Sequence, residues 1–104
     1  MIGNYEIRYD RAAQRELENI FEYVLEDAGI ARADRWLAAF RKHVDALRIT
    51  PKIGPVACIR RGRVIRSKLA QSHRVFYTID EKARLILVID IVHTARETRL
   101  STYR

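Results

Sequence analysis

Arg74-Val75-Phe76-Tyr77-Thr78-Ile79, then Asp80-Glu81-Lys82-Ala83, then Leu85-Ile86-Leu87-Val88-Ile89-Asp90-Ile91-Val92 decide the fold. The first run is β-branched and aromatic, which suits a pleated, half-buried surface. The polar step after it reads as a hairpin turn. The second run is almost continuously apolar, as expected of a strand inside a sheet. Toward the N-terminus, Ala70-Gln71-Ser72-His73 turns the chain, and Arg63 to Leu69 is a further extended run. Residues 51–62 hold both prolines, two of the four glycines and no clear period, so they read as a loop.

The first half has a different period. Tyr5, Ile7 and Tyr9 alternate with Glu6, Arg8 and Asp10, which marks a short strand. Asp10 offers a side-chain oxygen as a helix N-cap. Leu17, Ile20, Phe21, Val24, Leu25 and Ala28 recur at steps of three and four and form one apolar stripe. Gly29 suits the positive-φ position that closes a helix. Ala33, Trp36, Leu37, Phe40, Val44 and Leu47 form a second stripe, which ends before Pro51. So short a link makes the two helices antiparallel neighbours. Their one-sided stripes need a sheet to cover them. The expected order is β-α-α-β-β-β, an α+β fold. A twisted, mainly antiparallel sheet carries a helical hairpin on one face, in one domain spanning 1–104.

Several function classes drop out. The lone Cys58 has no partner for a disulfide, which fits a reducing compartment. No apolar run has the length of a membrane span, and the N-terminus lacks the pattern of a signal peptide. A cytoplasmic protein without membrane partners is expected. His43, His73 and His93 are scattered and Cys58 stands apart, so no metal site is expected. No glycine-rich phosphate loop is present, and no cofactor is expected.

Charge is the first functional signal. Residues 1–45 carry a net −2 and residues 80–104 a net +1. Residues 46–79 carry eight Lys/Arg (Arg48, Lys52, Arg60, Arg61, Arg63, Arg66, Lys68, Arg74) and no Asp or Glu. One third of the chain therefore holds the whole excess of the net +7. Concentrated positive charge attracts a polyanion or an acidic protein. A merely solubilising surface would be served as well by dispersed charge.

A family resemblance rests on four motifs in order. Ile20-Phe21-Glu22-Tyr23-Val24, Gly29 and Ala33-Asp34-Arg35-Trp36-Leu37 resemble the helical hairpin of the ParE branch of the RelE/ParE toxins. Leu47-Arg48-Ile49-Thr50-Pro51-Lys52-Ile53-Gly54 resembles the family's exit from the second helix. His73-Arg74-Val75-Phe76-Tyr77 is similar to its tyrosine-bearing middle strand. Val92-His93-Thr94-Ala95-Arg96-Glu97 is similar to its closing His-x-x-Arg-acid motif.

The resemblance implies the toxin of a type II toxin–antitoxin pair and leaves two mechanisms open. In the RelE branch such toxins cut messenger RNA on the ribosome. Lys68 would then be base or charge stabiliser, Arg74 and Arg96 would hold the phosphate, and Tyr103 or His93 would move a proton. In the ParE branch they inhibit DNA gyrase by binding, and Arg66, His93 and Arg96 would contact the target. The longer hairpin and the lack of an acid–base pair favour the ParE branch. Either branch implies a cognate antitoxin with an acidic-apolar C-terminal segment. Its expected anchors are Leu47, Ile49, Val56 and Ile59, with Arg60, Arg61 and Arg63 meeting carboxylates.

Overall fold

The computed structural model describes residues 4–95. Its elements are β1 (Glu6–Tyr9), α1 (Arg11–Ala28), α2 (Ile30–Asp45), β2 (Val56–Arg60), β3 (Arg63–Ala70), β4 (His73–Asp80) and β5 (Leu85–His93). Single 3-10 turns at Ala46–Arg48 and Pro51–Ile53 lead from α2 to β2. The sheet has the order β1-β5-β4-β3-β2. β1 runs parallel to β5, and every other pair is antiparallel.

The helical hairpin follows from its caps. The Asp10 carboxylate accepts from the Ala13 amide at 2.9 Å, satisfying an otherwise orphaned donor. Gly29 closes α1 by donating to the Leu25 carbonyl and opens α2 by accepting from the Ala33 amide. It does both at φ 89, ψ 171, a region almost confined to glycine. A Cβ there would touch nothing within 4 Å, so only the backbone resists substitution. Gly29→Ala is therefore expected to lower unfolding free energy by about 1–3 kcal/mol, read as an earlier thermal transition.

The two stripes close on one face of the sheet. Ala13 and Leu17 of α1, Phe40 and Val44 of α2, and Leu47 pack on Ala70, Val75, Tyr77, Ile86, Val88 and Ile91. Trp36 stacks on Phe40 with ring centroids 5.2 Å apart. Register identifies this face, because residues directly opposite across strands point the same way. Val75 pairs with Lys68 and Ile91, and Tyr77 pairs with Arg66 and Val88.

One expectation needs correction. Residues 51–62 are not a loop throughout, since Val56–Arg60 is a fifth strand at the edge of the sheet. It shows no period-two burial because neither helix covers it. An irregularity between Val56 and Cys58 also breaks the alternation. Ile49 and Thr50 form the link between the two 3-10 turns.

Candidate functional site

Beneath the edge strand, residues 51–55 are tied to the sheet by a short polar network. The buried Tyr77 hydroxyl donates to the Pro51 carbonyl at 2.7 Å and accepts from the Gly54 amide at 3.1 Å. Nη1 of Arg66 donates to the Gly54 carbonyl at 2.8 Å and reaches the Lys52 carbonyl at 3.4 Å. The Ser67 amide donates to the Pro55 carbonyl. Burial raises the Tyr77 phenol above its ordinary pKa, against smaller lowering effects of the Gly54 amide and Arg66. Arg66 therefore holds this strap in place, and its guanidinium is partly spent on backbone carbonyls. Read from sequence, Tyr77 is one residue of a β-branched, aromatic strand, and nothing in that reading reveals what its hydroxyl does. The Pro-x-x-Gly-Pro spacing, which demands a specific backbone path, is the signal that could have found it.

The strap delivers β2 to the sheet edge, where apolar side chains face solvent. Ile49 is 69% exposed and Ile59 68%, and Val56 and Val64 are also exposed. Leu47 is 0% exposed and belongs to the core under the helices. It is therefore corrected from a surface anchor to a core residue. Its place in the i, i+3, i+4 rhythm after Phe40 and Val44 already allows that reading.

The β2–β3 hairpin ends in Arg60-Arg61-Gly62-Arg63, with all four residues exposed. Arg61 has φ 52 and Gly62 φ 77, the two positive values of a type I′ connection. Glycine and asparagine suit that turn, whereas a left-handed arginine costs about 1 kcal/mol. Arg60 and Arg63 sit directly opposite one another. Like charges in such a cross-strand pair oppose folding by up to about 1 kcal/mol. Arg63 also donates through Nη2 to the Thr78 hydroxyl at 3.2 Å.

The rest of the cationic band is divided. Arg48 pairs with Asp45 and Lys52 with Glu81, both at the exposed surface. Lys68 lies on the helix-bearing face, opposite Val75. Arg74 lies on the other face, opposite Leu69 and Val92, with Nη1 3.5 Å from the Ser67 hydroxyl. Lys68 and Arg74 therefore do not converge on one phosphate.

His93 pairs with His73 on the helix-bearing face, their ring centroids 4.9 Å apart and edge-on. Trp36 meets His73 at 5.6 Å. His93 Nδ1 accepts from the Ala95 amide at 2.9 Å, so its neutral ring carries the proton on Nε2. Arg96 and Tyr103 lie outside the described residues. Among the described residues, no cluster of three or more His, Cys, Asp or Glu is suited to a metal ion. No helix there is long and apolar enough to cross a membrane.

A second apolar surface lies on the helical hairpin, a groove of about 480 Å³ floored by Leu17, Phe21, Leu25 and Leu37. Glu18 and Glu22 stand on its rim, with Arg41. The molecule thus presents two apolar strips of opposite electrostatic setting, acid-rimmed on the helices and arginine-rimmed on the sheet edge.

Comparison with known proteins places this geometry among relatives. The family model described as the ParE toxin of type II toxin–antitoxin system, parDE, matches residues 7–98. No curated protein sequence matches the chain. Among solved structures, the chain is similar to the chromosomal ParDE toxin–antitoxin system from P. aeruginosa. The TM-score is 0.67 at 15% identity, covering 88% of this chain and 97% of that one. It is also similar to the toxin–antitoxin complex RelBE2 from Mycobacterium tuberculosis, with TM-score 0.65, 20% identity and coverage of 89% and 94%. A mutant of the E. coli toxin RelE in the free state gives TM-score 0.55 at 16% identity, covering 96% of this chain and 93% of that one. Likeness at these identities speaks for the fold.

Proposed function

Since this chain belongs to the ParE toxin family of type II toxin–antitoxin systems, we propose that it is a cytoplasmic toxin that inhibits DNA gyrase by binding. The observation that carries this reading is the separation of Lys68 and Arg74 onto opposite faces of the sheet. Cleavage of RNA by the alternative, RelE-like route asks a group of basic side chains to act together on one phosphate. A binding toxin needs a surface instead, and Arg66, His93 and Arg96 are the residues proposed to contact the target.

The proposed antitoxin site is the β2 edge. An acidic-apolar segment would add alongside β2 by main-chain pairing and set its apolar side chains on Ile49, Val56 and Ile59. Its carboxylates would meet Arg60, Arg61 and Arg63. The acid-rimmed groove on the helices is a poorer seat for such a segment, because Glu18 and Glu22 would repel it.

The test is a supercoiling assay with purified toxin and gyrase. Inhibition at micromolar toxin is expected, with no new 5′ ends by primer extension on messenger RNA in a translating extract. Tyr103→Phe is expected to leave inhibition intact. New 5′ ends that vanish in Tyr103→Phe, with supercoiling untouched, would move the protein to the ribosome-dependent nuclease reading.

A further inference from the structure

Three exposed arginines crowd one hairpin tip. Arg61 occupies a left-handed turn position that asparagine or glycine would fill more easily. Arg60 and Arg63 face each other across the strands beneath it. Gln71 and Arg84 hold the same left-handed conformation in the other two hairpin turns, so what sets this tip apart is its charge: three exposed arginines within four residues. The place is also mechanically suited. β2 is the edge of the sheet, and β3 pairs with β4 only from Arg66 onward, so the β2–β3 pair ends as a two-stranded ribbon. The segment from 46 to 79 that carries this ribbon contains no Asp or Glu.

From this we infer that the Arg60-Arg61-Gly62-Arg63 tip is a phosphate clamp for duplex DNA. A two-stranded ribbon fits the major groove of B-form DNA, with arginines on the flanking phosphates. The deep, narrow major groove of an A-form RNA duplex excludes it. The inference rests on the gyrase reading, because gyrase presents duplex DNA beside its protein surface. It adds the DNA itself as a ligand. The residues proposed to receive the antitoxin's carboxylates are then those that hold phosphate, and antitoxin and DNA exclude one another.

The experiment measures binding of the full chain to a fluorescent DNA duplex, an RNA duplex of the same sequence, and the DNA duplex over a range of salt. The hairpin variant combines Arg60→Thr, Arg61→Asn and Arg63→Thr. A charge-matched control combines Arg32→Ser, Arg35→Ser and Lys42→Ser on the exposed face of α2. Three phosphate contacts give the wild type a log–log salt slope of about −2.7. The hairpin variant is expected to bind DNA at least about tenfold more weakly at 0.1 M salt, with a slope shallower by about 2 or more. The control is expected to keep the wild-type slope. Arg61→Asn alone should melt no earlier than wild type yet bind DNA more weakly, which separates the site from folding.

Unchanged binding in the hairpin variant, equal losses in both variants, or equally tight RNA binding would each overturn the inference. Gyrase inhibition without duplex binding would sink the clamp and leave the proposed function standing. Hairpin-dependent duplex binding with gyrase untouched would do the reverse.

Discussion

Gly54→Ala is expected to be among the most damaging single-methyl additions in this protein, lowering the melting temperature by more than about 10 °C. The backbone at Gly54 is ordinary, with φ −78, so left-handed strain is not the reason. The reason is space. A Cβ there would run into the Ser67 carbonyl oxygen and stand 2.6 Å from the Tyr77 hydroxyl. Neither can retreat easily, since one belongs to β3 and the other is pinned between Pro51 and Gly54. Making room means lifting the strap. That breaks the Gly54–Tyr77 bond and the Arg66–Gly54 bond together, at about 1–3 kcal/mol for each buried group left unsatisfied.

Tyr77→Phe tests the same latch from the other side. It leaves the Gly54 amide and the Pro51 carbonyl without their partner and is expected to cost about 1–3 kcal/mol. Its effect and that of Gly54→Ala should not add, because both act through one hydrogen bond. The latch has a pH signature as well. Burial holds the folded-state pKa of Tyr77 above its ordinary value of 10.0. Its contribution is fully present below that ordinary value and is lost as pH rises through the raised one. Tyr9 is shifted in the same direction, again mainly by burial. Melting temperature should therefore fall above pH 10, and less steeply in Tyr77→Phe.

Why some of this is legible in the sequence and some is not comes down to period and cover. The helices announce themselves because each presents one apolar stripe to one sheet face, and Asp10 and Gly29 mark their ends. β4 and β5 are plain because packing on the core selects β-branched and aromatic residues. β2 escapes a sequence reading because an edge strand with no layer above it has no reason to alternate, and its irregularity at Val56 and Cys58 removes what little pattern remains. The Arg-Gly step at 61–62 is the only local hint of a tight hairpin. Composition locates the cationic band but does not resolve it into faces. Lys68 and Arg74 are six positions apart, yet the Gln71-Ser72 turn and the pairing of Leu69 with Arg74 put them on opposite sides. Such a division depends on register, which the residues between them do not fix. Arg66, proposed to contact the target, also turns Nη1 back to the strap, a second role that composition does not show.

Leu47→Ala and Ile59→Asp are expected to fail in opposite ways, and the contrast separates the core from the docking edge. Leu47 is completely buried among Phe40, Val44 and Tyr77, so its truncation leaves a cavity. Deletion of such a side chain costs about 2–5 kcal/mol. For a domain of this length that is a fall in melting temperature of about 10 °C or more. Bound antitoxin would partly restore it, because a ligand of the native state adds stability by mass action. Ile59 is 68% exposed, so Ile59→Asp removes little from the folded state. It does put a carboxylate into the apolar strip of Val56 and Val64, where the incoming segment would otherwise set an apolar side chain. The melting temperature of Ile59→Asp should lie within a few degrees of wild type, while co-purification with a co-expressed cognate antitoxin is lost. If Ile59→Asp still retains the antitoxin at physiological salt, while reversal of Glu18 and Glu22 to lysine on the helical groove releases it, the docking site belongs on the helices. The acidic-segment argument would then fail at its first electrostatic step.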